Sequence, residues 1–182
     1  MSEPTRVIAI SGKSGCGNTT VSRLLAEVLH RRLINYTFHN LADELGLPFT
    51  TLLETAKNDF SFDRMLDTRQ VAMTKAVDCV IGSRLAIWLL PQAELRVFLT
   101  ADPEVRARRV HQREGGDLAA IMAFTHRRDE MDTERYRAIY GLDNNEYGFA
   151  DLVINATRLD PPCIVRAIIG ALPLANSTLA GC

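Results

Sequence analysis

Apolar positions follow two rhythms along this chain. Residues 6–11, "RVIAIS", form a short run with almost no polar interruption, the pattern of a strand buried on both faces. The same rhythm recurs in the run that ends at Ile81, in residues 95–101, "LRVFLTA", and in residues 151–156, "DLVINA". Residues 32–38, "RLINYTF", read as a further strand. The second rhythm is helical. In residues 19–32, Val21, Leu24, Leu25, Val28 and Leu29 recur at three- and four-residue spacing. Residues 35–76 read as two or three helices, interrupted near Gly46, Leu47 and Pro48 and again near Asn58 and Asp59. Asp102 followed by Pro103 marks a helix start, and Gly115 with Gly116 marks its stop. A long polar helix is predicted over residues 117–140. A closing helix over 161–172 carries proline in its first turn, and residues 173–182 read as a flexible tail.

Short apolar strands alternating with helices imply an α/β fold: a five-stranded parallel sheet covered on both faces, three layers in all. The length, 182 residues, suits one domain spanning 1–182. Residues 35–76 form a helical insertion between strands.

Charge narrows the function classes. Lys and Arg number 21 against 22 Asp and Glu, a net charge of -1. That balance argues against a general nucleic-acid or membrane-surface binder, because such proteins are basic overall. The cysteines, Cys16, Cys79, Cys163 and Cys182, have no metal-binding spacing. Residues 1–6 are polar and no apolar run reaches membrane-span length. A reducing cytoplasm and a monomer are the expectations.

Between the first strand and the first helix stands "GKSGCGNTT", residues 12–20. It follows the phosphate-binding pattern G-x-x-x-x-G-K-[ST], in the strand–turn–helix context that pattern needs. Gly12, Gly15 and Gly17 would let backbone N–H groups close on a phosphate, with the helix dipole adding positive potential. Lys13, Ser14, Cys16, Asn18 and Thr20 complete the loop, and Thr19 is the hydroxyl expected beside Mg²⁺. The lysine position holds Asn18, which carries no charge. Lys13 is the candidate substitute, against the plainer reading of a solvated loop lysine.

Arginines concentrate further on. Arg106, Arg109 and Arg113 share one helix face at i, i+3, i+7; Arg128, Asp132 and Arg135 share another at i, i+4, i+7. Two guanidiniums flanking a carboxylate suit a phosphate beside a ribose. On composition alone, an exposed helix laced with ion pairs is the stronger reading, and only the phosphate loop upstream tips the balance toward a phosphate site. Trp88 reads as core, and His111 and His126 as solvated.

Four segments together resemble the cytidylate kinases, among the P-loop nucleoside-monophosphate kinases, in their short archaeal-type form. They are "ISGKSGCGNTTVSRLLA", "DRMLDTRQ", "SRLAIWLLPQAELRVFLTADPEVRARRV" and "RRDEMDTERYRAIYGLD". The resemblance implies a P-loop NTPase fold with residues 35–76 as the monophosphate-binding insertion and 110–130 as a lid. It implies transfer of the ATP γ-phosphate to CMP or dCMP with Mg²⁺. By matching position, loop 12–20 with Arg109 and Arg113 would hold ATP. Asp67, Arg69, Arg84, Arg128, Asp132 and Arg135 would hold CMP. Lys13, Arg109, Arg128 and Arg135 would carry the charge of the reaction, and Thr19 would meet the metal. Two departures stand out: Asn18 for the loop lysine, and Gly82 where the family has an acid before its G-R. Another small-molecule kinase acting on AMP or a non-nucleotide alcohol, or a nucleotide-binding regulator without turnover, remain the alternatives.

Overall fold

The computed structural model describes residues 5–173, so the expected tail lies outside the described residues except for Pro173. Five parallel strands form one sheet, in the order β2-β3-β1-β4-β5. They are β1 (Val7–Gly12), β2 (Arg32–Ile34), β3 (Cys79–Gly82), β4 (Leu95–Thr100) and β5 (Leu152–Asn155). Every one of the six β1 residues is buried, as its uninterrupted apolar run requires. Successive side chains alternate between two cores. Ile8 and Ile10 pack with Val80, Val97 and Leu99 against helices α1 (Asn18–Leu29) and α8 (Pro161–Ala171). Val7 and Ala9 pack on the opposite side with Ile81, Phe98, Ile87 and Leu90. Trp88 joins this second core, edge-on to Phe98 and Phe149 with ring centroids 5.8 Å and 5.5 Å away. It is core, as expected.

The insertion folds as three helices: α2 (Phe38–Leu45), α3 (Phe49–Ala56) and α4 (Ser61–Thr74). Gly46, left-handed at φ 65, ends α2. Leu41, Ala42 and Leu52 are buried there, with Tyr36, Phe38, Phe62 and Leu66 packed around them. The insertion thus has its own small core.

The remaining helices are α5 (Ala86–Leu89), α6 (Pro103–Glu114) and α7 (Leu118–Tyr140). Two boundaries differ from the sequence reading. The strand expected over 32–38 stops at Ile34, because Thr37 and Asn40 form a capping box that starts α2. The single-turn α5 was not foreseen; four residues are too few to show a periodicity. Among the described residues, no helix is long and apolar enough to cross a membrane.

Helix α1 offers a direct check of this layering. Leu25 is fully buried, whereas Val28, three residues on, is 49% exposed. Leu25→Ala is expected to lower unfolding free energy by about 2–5 kcal/mol, from lost burial and the cavity left behind. Val28→Ala is expected to change it by no more than about 0.5 kcal/mol. Urea unfolding of the two variants measures both, and equal losses would contradict the layering.

Candidate active site

The turn from β1 to α1 lies at the C-terminal edge of the sheet, beside the central strand. β1 lies between β3 and β4; the connection leaving β1 runs past β3 to β2, whereas the one leaving β3 runs the other way to β4, so a crevice opens there. Gly15 sits at φ 81, and a Cβ on it would come within 2.7 Å of the Arg106 carbonyl oxygen. Gly17 caps α1 in the left-handed region at φ 105. Glycine therefore meets two needs, a left-handed turn and close approach of helix α6. Arg109 on α6 donates to the carbonyls of Gly15 and Cys16, both at 3.4 Å, and to the Ala156 carbonyl at 2.6 Å. Because the peptide is planar, a Cys16 carbonyl turned outward sends the Gly17 N–H the opposite way. No side chain caps α1, so its first-turn N–H groups stay available to an anion.

A cavity of about 540 Å³ is lined by the whole of loop 12–20 together with Arg84, Arg109, Arg113 and Arg128. A second, of about 560 Å³, is lined by Asp67, Arg84, Arg128, Asp132 and Arg135, along with residues of the helical insertion. Gly82, Ser83, Arg84 and Arg128 belong to both walls. The two spaces meet at a pair of arginines.

Arg84 is ion-paired with Asp132. Burial, with some help from the Arg128 charge, pulls the Arg84 guanidinium below its usual range. Arginine nonetheless stays charged in proteins. Arg135 is held by both Asp63 oxygens and by the Ala56 carbonyl at 2.5 Å. Arg113 pairs with Glu114 at 2.5 Å. Lys13 and Arg128 make no ion pair within the described residues. Asp67 accepts from the Tyr140 hydroxyl at 2.6 Å. Burial pushes the Asp67 carboxyl up to about 6; the Tyr140 bond opposes this and the Asp63 charge adds to it.

One expectation, for His111, is corrected, and one residue expected at the site, Arg69, stands apart from the cavities in this structure. Arg69 lines neither cavity: half-exposed, it forms an ion pair with Glu44 at 2.5 Å. On α4 the cavity face carries Asp63, Asp67 and Gln70 at i, i+4, i+7, and Arg69 turns away from that stripe. His111 is not solvated but half-buried, and its Nδ1 has no partner. His126 is exposed, as expected, 3.5 Å from Glu130.

The two departures from the family pattern have local explanations. Asn18 turns its side chain back onto the loop, donating from Nδ2 to the Gly12 carbonyl at 2.7 Å. Its second Nδ2 hydrogen and its backbone N–H remain as uncharged donors. At Gly82, a Cβ would come within 2.3 Å of the Ser22 Oγ. Ser22, buried on α1, occupies the room an acidic side chain would need.

Sequence reasoning missed Arg106 as a distinct element. It is buried, pairs with Asp129 of α7 at 2.5 Å, and backs the phosphate loop. The i, i+3, i+7 spacing grouped it with Arg109 and Arg113, but only burial separates a brace from a free cation. Gln70 and Asp63 were missed as well. Their signal was the same i, i+4, i+7 stripe with Asp67.

A parallel sheet with a glycine-rich phosphate turn at its switch point and an arginine-lined double cavity defines a P-loop kinase. Comparisons agree. The model of the cytidylate kinase-like family matches residues 7–158. "Cytidylate kinase 2" of Borreliella afzelii is 45% identical over 157 residues, 84% of this chain and 88% of that protein. "Cytidylate kinase" of Archaeoglobus fulgidus is 35% identical over 168 residues, 91% of this chain and 93% of that one. The chain belongs to the cytidylate kinase-like family. Among solved structures, an uncharacterized protein from Eubacterium ventriosum aligns with TM-score 0.67 at 20% identity, covering 91% of this chain and 97% of that one. Shikimate kinase from Bacteroides thetaiotaomicron aligns with TM-score 0.59 at 18% identity, covering 91% and 96%. These two share the fold.

The Asp67 carboxyl sets a pH dependence. Burial holds its pKa at about 6 in the folded protein, against the ordinary 3.8 of an aspartate. The folded state therefore holds the proton more tightly. The stabilisation is complete below the unfolded value and is lost as pH rises through about 6. Asp67→Asn removes this, so wild-type stability should fall relative to the variant by roughly 2 kcal/mol between about pH 4 and about pH 7. Parallel curves in chemical denaturation would contradict the assignment. Separately, Gly82→Ala is expected to cost about 1–3 kcal/mol by overpacking against Ser22, and Ser22→Gly to recover most of it. Thermal melts of the single and double variants decide.

Proposed function

We propose that this chain transfers the γ-phosphoryl group of ATP to CMP or dCMP, forming CDP or dCDP. One observation carries the reading: a phosphate-loop cavity and a second cavity of similar size share the wall containing Arg84 and Arg128. A donor in the first and an acceptor monophosphate in the second would bring their phosphates together at those arginines. Phosphoryl transfer needs positioning and charge stabilisation rather than a protein nucleophile. The loop N–H groups would hold the donor phosphates. Arg84 and Arg135 would exchange carboxylate partners for the acceptor phosphate, leaving Asp132 free to accept from ribose hydroxyls. Residues 110–130 would act as the lid, excluding water.

Lys13 takes the place of the absent loop lysine in this reading. It lines the first cavity and makes no ion pair among the described residues, so its charge is available to the β- and γ-phosphates. Mg²⁺ fits as well. Thr19 presents an exposed hydroxyl at the N-terminus of α1, and Mg²⁺ characteristically takes few protein ligands, relying on phosphates and waters. The ion would neutralise phosphate charge. The nucleotides imply the cytoplasm, and a single chain holds both cavities, consistent with a monomer.

The test is coupled ADP release with CMP, dCMP, UMP and AMP as acceptors. CMP and dCMP are expected to be preferred. Nucleotide binding without release would favour a regulator, and a better non-cytidine acceptor would favour another small-molecule kinase. Lys13→Ala is expected to lower kcat by about 10²-fold or more, the scale of losing one charge-stabilising donor. Asn18→Lys is expected to lower activity rather than raise it, because the brace to Gly12 is lost. A large gain would instead mean that the loop is merely damaged.

A further inference from the structure

We propose that Oε1 of Gln70 selects the base of the acceptor nucleotide, accepting a hydrogen bond from the exocyclic amine of cytosine and disfavouring uracil. The inference rests on the CMP reading above and adds the group that reads the base.

Gln70 lies on α4 in the wall of the second cavity and is 7% exposed. Its Nε2 donates to the Tyr36 carbonyl at 2.8 Å. A carbonyl only accepts, so this bond fixes which way the amide faces. Oε1 is then held as an acceptor, and it is buried with no partner. Buried acceptors without donors are costly and uncommon. One in the wall of a ligand-sized cavity is accounted for by a donor arriving with the ligand. The other acceptors on this stripe are engaged: Asp63 by Arg135 and Asp67 by Tyr140.

The cavity itself orients the nucleotide. Arg84 and Arg128, shared with the phosphate-loop cavity, mark the phosphate end. Tyr36, Phe38, Leu53 and Leu66 supply apolar wall elsewhere in the same space, suited to the faces of a pyrimidine ring. Cytosine and uracil differ at C4, where one carries an amine donor and the other a carbonyl acceptor. Against Oε1 the amine forms a hydrogen bond. A uracil carbonyl would face an acceptor with no hydrogen between them. Rotating the amide to help uracil would break the bond to Tyr36. Selectivity of this kind comes from a polar group that the wrong substrate leaves unpaired.

The experiment compares wild type with Gln70→Met, which keeps the side-chain length and removes the acceptor. Three acceptors are used with saturating ATP: CMP, UMP and a CMP analogue bearing hydrogen in place of the 4-amino group. For wild type, kcat/KM is expected to be about 10- to 100-fold lower for UMP and for the analogue than for CMP. In the variant these ratios should collapse to about 3-fold or less, through a rise in KM for CMP, with KM for ATP unchanged. A Gln70 that only supports the fold would lower all three acceptors alike. Undiminished ratios in the variant, or a wild type that uses the analogue as well as CMP, overturn the proposal. The wild-type comparison can still overturn the proposal even if the variant does not fold. A wild type that releases no ADP with CMP sinks the kinase reading beneath it, a distinguishable result.

Discussion

The phosphate loop keeps its shape because helix α6 is pressed against its outer side. Gly15 leaves no room for a side chain between loop and helix. Arg109 gathers the outward carbonyls of Gly15 and Cys16 and ties them to Ala156 after β5. Orienting the Cys16 carbonyl outward turns the Gly17 N–H the opposite way, while the Cys16 N–H closes the loop onto the Lys13 carbonyl at 3.2 Å. The same helix reaches α7 through Arg106 and Asp129. That pair is buried, so its worth lies less in net stability than in the penalty for separating it. Loop and α7 are thus joined through one helix, and α7 carries Arg128, Asp132 and Arg135. Movement of the proposed lid would have to be accommodated around this joint or beyond it.

A cavity built for polyanions faces a charge problem of its own. Its guanidiniums must stay ready for phosphates, yet partly buried cations are costly without partners. Two are satisfied internally, Arg84 by Asp132 and Arg135 by Asp63. A phosphate entering the second cavity would compete with these carboxylates rather than meet bare cations. The binding energy of the acceptor would then be reduced by the pairs it displaces, while the released carboxylates become acceptors for sugar hydroxyls. Lys13 and Arg128 differ, since neither has such a pair to break. They are the cations most directly available to a phosphate in the first cavity.

Much of this was legible in sequence where the information is local. The uninterrupted apolar run at 7–10 and the spacing of Val21, Leu25 and Leu29 specify a buried strand and an amphipathic helix by period alone, although the same spacing also included Val28, which the fold leaves exposed. The strand–turn–helix context identified the phosphate loop despite Asn18. What was not legible depends on contacts between distant segments. The match of "DRMLDTRQ" to its family put Arg69 and Asp67 in one segment, but helical geometry sends them to different faces. Gln70, three residues from a family-matched aspartate, had no visible role until its amide was seen bonded to Tyr36 across the cavity wall. Arg106 and Arg109 are neighbours on one stripe, yet one is a buried brace and the other a carbonyl clamp. Only the packing of α7 and β5 around them separates these roles.

The two departures from the family pattern, Asn18 and Gly82, lie 64 positions apart in sequence but adjoin in space. A Cβ on Gly82 would lie 3.4 Å from the Asn18 carbonyl oxygen and far closer to Ser22, one turn further along α1. Ser22 fills the space that an acid would take, and Asn18 closes the loop onto Gly12 instead of reaching for phosphate. Restoring the acid alone would drive it into Ser22. Restoring the lysine alone would remove the tie to Gly12 without returning the carboxylate that belongs with it. Each departure thus has its own local partner, Ser22 for Gly82 and the Gly12 carbonyl for Asn18. In the proposed reading the charge absent from position 18 would be supplied by Lys13, the loop lysine that lines the first cavity.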